Sequence, residues 1–109
     1  MIRIDQIWLA TEPVDMRAGA ETLLGRVVQV FGQAQRHHAY IFTNKRSNRI
    51  KVLVQDGFGI WVSARRLNEG KFQWIQYPSH KSMTLSAEQS QALVQGLPWQ
   101  RLEQPVQCL

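Results

Sequence analysis

Eight side chains between residues 45 and 71 could act together: Lys45, Arg46, Arg49, Lys51, Arg65, Arg66 and Lys71, with Trp61 among them. Lys and Arg can replace the counterions along a phosphate backbone, and an indole set between them can stack on an unpaired base. Only Asp56 and Glu69 oppose them in this stretch. The excess is local, because residues 36–81 carry nine cations against two anions, a net +7, in a chain whose formal charge is +5. A concentrated basic segment is the electrostatic footprint of a nucleic-acid binder. The same cations could instead keep an exposed sheet face soluble and its edge unpaired, with Trp61 covered by a partner subunit.

Other chemistries find weaker support. Glu12, Asp15 and Asp56 could be metal-binding carboxylates of a nuclease, but such a site needs acids that converge on a hard cation. Asp15 has a sufficient local role as a helix cap and Asp56 as a turn residue. His37 and His38 are adjacent, His80 stands alone and Cys108 is near the end, so no pair has zinc-ligand spacing. There is no G-x-S-x-G elbow, no phosphate-cradling glycine loop and no nucleotide fingerprint, and "DGFG" reads as a hairpin turn. The expectation is a protein with no catalytic residue, no metal and no cofactor.

The elements that must position the cations follow from periodicity. Met16, Ala20, Leu23, Leu24, Val27, Val28 and Phe31 fall on one helical stripe, with Asp15 as N-cap and Gly32 as the stop. "IWLAT" (7–11), "AYIFT" (39–43), "RIKVLVQ" (49–55), "FGIWVSA" (58–64) and "KFQWIQY" (71–77) are predicted strands, and Asp56-Gly57 marks a hairpin. Alternation in 49–55 separates Ile50, Val52 and Val54 from Arg49, Lys51, Leu53 and Gln55. In 58–64, Phe58, Ile60 and Val62 are expected inward and Trp61, Ser63 and Arg65 outward. On this reading the basic residues collect on one sheet face and at the hairpin ends, while the helix covers the other face. Ser86 and Gln89 have capping-box spacing for a last helix that ends at Gly96. Trp8 and Trp99 fit either a core or a contact surface.

The predicted fold is therefore α+β: a mainly antiparallel four- to five-stranded meander with one amphipathic helix packed on one face and a short C-terminal helix. Residues 1–99 are expected to form one domain and 100–109 a tail. A chain of 109 residues can bury roughly two-thirds of its unfolded surface around a single core. No stretch is long and apolar enough to span a bilayer, and the N-terminus lacks the features of a secretion signal, so a cytoplasmic location is expected. The lone Cys108 cannot form an internal disulfide.

Several short motifs occur in a fixed order: "DMR" at 15–17, N-x-R-x-x-R-I-K from Asn44 to Lys51, "DG-x-G" at 56–59, RL-x-x-G-x-F-x-W from Arg66 to Trp74, and G-x-x-W at 96–99. In this order they resemble the insertion sequence 66 family of TnpB accessory proteins, the second-open-reading-frame-like proteins of bacterial mobile elements. The resemblance runs from about Ile7 to Trp99. It implies participation in transposition beside a separate, larger transposase that supplies the catalytic acids, and it carries no functional residues with it. Two functions remain open at this point. One is DNA binding through Lys45, Arg46, Arg49, Lys51, Trp61, Arg65, Arg66 and Lys71. The other is a protein-interaction module, anchored on Leu53 and Trp61, that docks on the transposase or on itself.

Overall fold

The computed structural model describes residues 3–75 and 78–101. Five strands form one sheet: β1 (Gln6–Ala10), β2 (His38–Thr43), β3 (Arg49–Gln55), β4 (Ile60–Arg66) and β5 (Ser82–Leu85). Helix α1 (Ala20–Phe31) lies between β1 and β2, and α2 (Ala87–Val94) follows β5. The spatial order is β4-β3-β2-β1-β5. β2, β3 and β4 are the expected antiparallel hairpins. β1 and β2 run parallel, from Gln6 opposite His38 to Leu9 opposite Ile41. Parallel neighbours need a long crossover, which α1 supplies. The fold class is α+β with a mostly antiparallel sheet, as the alternation predicts.

The expected strand at 71–77 is a correction. Residues 71–75 form no strand, and 76 and 77 lie outside the described residues. Phe72 is buried and its N–H donates to Ser47 O, so its apolar character reflects insertion into the core beneath the sheet. The fifth strand is instead "SMTL", which pairs antiparallel with β1 on its free side. Its four residues offered too short a pattern to register.

Both faces of the central strands are covered. Trp8, Ala10, Tyr40, Phe42 and Leu53 pack against Leu23 and Val27 of α1. Ile7, Leu9, Ile41, Ile50 and Val52 face the other way, toward Leu93, Phe72, Leu85 and Trp99. Each fully buried Leu or Val stabilises by roughly 1.5–3 kcal/mol. Leu53 is fully buried, so it is no exposed anchor for a partner. Trp99 is likewise core, with its indole N–H donating to Gln73 O. Trp8 is half-buried, edge-on to Phe31, and donates to His38 Nδ1 at 3.0 Å.

Helix α1 begins at Ala20, four residues later than expected, with Gly19 at its N-cap. Asp15 does not cap it. Its carboxylate takes the Arg17 backbone N–H at 2.8 Å and the Arg17 guanidinium, and Ala18 N–H returns to Asp15 O, so residues 15–18 form a separate turn. Val28 is half exposed and lies off the buried stripe. Gly32, at φ 89°, ends α1 as expected, with its N–H on Val28 O. Helix α2 has the reciprocal cap: Gln89 N–H donates to Ser86 Oγ, and Ser86 N–H to Gln89 Oε1. No helix among the described residues is long and apolar enough to cross a membrane.

Candidate nucleic-acid interface

The β2–β3 turn is built to hold its tip still. Asn44 Oδ1 accepts from the backbone N–H groups of Asn48 and Arg49, and Asn44 Nδ2 donates to Asn48 Oδ1 at 2.6 Å. Ser47 sits at φ 55°, and its carbonyl accepts from Phe72 N–H at 2.6 Å. Asn48 O accepts from Leu67 N–H. The turn is therefore tied to the chain that follows β4. The side chains of Lys45 and Arg46 project from this fixed frame into solvent.

Those ties also bring the other cations near. Arg49 stands opposite Arg66 and Ile50 opposite Arg65 in the β3–β4 ladder. A cleft of ≈ 690 Å³ between the β1–α1 loop and the turn is lined by Asp15, Arg17, Lys45, Arg46 and Arg49. A second, of ≈ 390 Å³ on the far side of the turn, includes Lys45, Arg46, Lys71 and Trp74. Thus Lys45, Arg46, Arg49, Arg65, Arg66 and Lys71 crowd one end of the sheet, all exposed. Among the described residues none of the six forms an ion pair with a carboxylate.

Two members of the expected set stand apart. Lys51 is half-buried, and its ammonium donates to Ala18 O at 2.8 Å, fastening β3 to the loop before α1. Trp61 pairs with Val54 toward the other end of the ladder. Five residues separate Val54 from Arg49, roughly 17 Å along a strand. Trp61 is half exposed, but its indole N–H donates to Asp56 Oδ2 at 3.0 Å at the opposite hairpin. Of the expectation that the basic residues collect on one sheet face and at the hairpin ends, the single-face part fails. Trp61, Ser63 and Arg65 share a face with Ile50 and Val52, whereas Arg49, Lys51 and Arg66 share the α1 side. Cross-strand register decides this, since opposite residues lie on the same face. The charges converge at an end of the sheet and not on a face.

The candidate acids are dispersed and occupied. Glu12 pairs with Arg26 at 3.0 Å. Asp56 Oδ1 accepts from Phe58 and Gly59 N–H, each at 2.9 Å, which with the Trp61 contact holds its carboxyl below the usual range. The Arg17 side chain, followed by the Arg17 backbone N–H, lowers the Asp15 carboxyl to about 2. Arg17, in the "DMR" motif, is a cationic lining residue outside the expected set, and its charge is partly offset by Asp15.

This gives a pH prediction with a defined sign. The Asp15 value is depressed from the ordinary 3.8, so its contribution to the folded state is complete above that value and is lost as pH falls through about 2. Carboxyl NMR titration should place the Asp15 midpoint near 2 in the wild type and move it back toward 3.8 in Arg17→Ala. A wild-type midpoint at the ordinary value would show that the Asp15–Arg17 contact is not held in solution.

The fold and this end together define a small α+β domain with a concentrated cationic surface. The chain belongs to the IS66 Orf2-like proteins, since the family model TnpB_IS66, described as "IS66 Orf2 like protein", matches residues 5–104. Membership makes it an accessory protein of insertion sequences. Two relatives come from Sinorhizobium fredii (strain NBRC 101917 / NGR234). The uncharacterized protein y4hO is 30% identical over 97 residues, covering 86% of this chain and 82% of the relative. The uncharacterized protein y4jC is 32% identical over 101 residues, covering 90% and 84%. No solved structure matches the chain.

Proposed function

We propose that this protein is a non-catalytic, cytoplasmic accessory factor of insertion-sequence transposition that binds DNA through the basic end of its sheet, beside the element's transposase. The observation that carries the reading is the convergence of Lys45, Arg46, Arg49, Arg65, Arg66 and Lys71 on one end, with no carboxylate paired to them among the described residues. A protruding turn braced by backbone hydrogen bonds presents Lys45 and Arg46 without a large ordering cost on binding. The candidate acids Glu12, Asp15 and Asp56 are committed to local turns and ion pairs, which supports a role without chemistry of its own. Contacts of this kind position a protein on the backbone and carry little sequence information.

The test is a salt titration by fluorescence anisotropy, with element-end DNA beside an unrelated duplex. If about five phosphates are neutralised, log affinity should fall against log salt with a slope near −4.5. Both duplexes should bind with similar strength. A flat salt response would overturn the reading.

A further inference from the structure

The margin of the sheet formed by β4 is unprotected along most of its length. β3 pairs with it residue for residue, from Arg49 opposite Arg66 to Gln55 opposite Ile60, and no described strand lies on its other side. All seven of its residues are exposed. Ile60, Trp61 and Val62 are 37%, 51% and 37% exposed, and Phe58 in the preceding turn is 101% exposed. These are four of the seven large exposed hydrophobics among the described residues, so the exposed apolar surface is concentrated here. Edge strands are normally blunted by proline, a bulge, brevity or charge. β4 has no proline and no bulge, and its charges are confined to Arg65 and Arg66.

We propose that this edge is an interface whose occupant is β4 of a second copy, paired antiparallel about a two-fold axis through Ser63. The sequence Ile-Trp-Val-Ser-Ala-Arg-Arg is apolar in its first half and cationic in its last two positions. Parallel self-pairing would set Arg65 and Arg66 beside their own copies at about 4.8 Å, where like charges repel. Antiparallel pairing sets each arginine beside the partner strand's apolar half instead. Only a two-fold at Ser63 matches all seven residues with all seven of the second strand. It places Trp61 opposite the second copy's Arg65, Ile60 opposite its Arg66 and Val62 opposite its Ala64. Each opposed pair has the same parity, so it lies on one face, and the outward amides of one strand meet those of the other. An arginine over an indole face adds a cation–π attraction. The paired sheets become one continuous sheet, and the two basic ends point in opposite directions along it. One dimer could then hold two separate duplexes.

The dimer does not depend on DNA binding, and its test contains no DNA. Sedimentation equilibrium of the full chain should give twice the 12.6 kDa mass of one copy. Ser63 meets its own copy on the axis, so Ser63→Arg and Ser63→Glu should each raise the dimer dissociation constant by up to about fivefold through like-charge repulsion. An equimolar mixture of the two variants should recover wild-type strength, because opposite charges then meet. Ser63 is exposed, so both variants should keep the wild-type circular dichroism. A wild-type chain that is monomeric at about 100 μM, variants that dimerise as well as the wild type, or a mixture that recovers nothing would each overturn the proposal.

Discussion

Replacing Lys45, Arg46 and Arg49 together with alanine is expected to cut DNA affinity on the order of 100-fold at physiological salt and to shallow the salt slope by about 2.7. The magnitude follows from counterion release. Each phosphate contact contributes about 0.9 to the slope, and three lost contacts at ~0.15 M salt forfeit a little over two decades relative to 1 M. These three residues are exposed, and two of them occupy the turn tip, so the substitution removes charge without opening the core. The turn itself should survive, because Asn44, Ser47 and Asn48 hold it through backbone and amide contacts that the three side chains do not make. Anisotropy titrations on wild type and variant decide the matter. A variant with unchanged slope would remove the basic end from the binding surface.

The second large effect is on stability. Trp99→Ala should destabilise the fold by about 3–5 kcal/mol, as truncation of a large buried aromatic does. Trp99 has no exposed surface and packs among Leu9, Ile41, Ile50, Leu93 and Phe72. Its truncation opens a cavity under the sheet and leaves the Gln73 carbonyl without its indole donor. Single domains of this size have only about 5–15 kcal/mol in total, so the loss is a large fraction. Urea denaturation measures it. A change below about 1 kcal/mol would mean that the 3₁₀ turn Trp99–Arg101 contributes little to the core.

Much of the local structure was legible in the chain. The period-two runs that become β2 and β3 lie where alternation placed them, β4 runs over 60–66 instead of 58–64 with Phe58 left exposed in the turn, Asp56-Gly57 makes a hairpin, and Ser86 and Gln89 cap α2 reciprocally. Misplaced elements share one cause. Asp15 looked like an N-cap because Asp favours that position, but the same carboxylate can close a tight turn of its own, and here it takes Arg17 instead. Phe72, Trp74 and Ile75 looked like a strand because apolar spacing does not distinguish a paired strand from a segment pressed into a core.

For the candidate surface the division is sharper. The amino-acid sequence alone determined that cations are concentrated in the middle of the chain, that the acids are few, and that a βα unit precedes a meander, because composition and periodicity are properties of consecutive residues. Only the tertiary structure decided that Lys45, Arg46, Arg49, Arg65, Arg66 and Lys71 meet at one end, that Lys51 is diverted to Ala18 O, and that Trp61 lies with Asp56 at the other. It also decided that Leu53 lies beneath α1. The physical reason is register: side-chain alternation fixes which residues of one strand share a face, but hydrogen-bonded pairing between strands and the helices laid over them fix which faces coincide and which remain open to solvent.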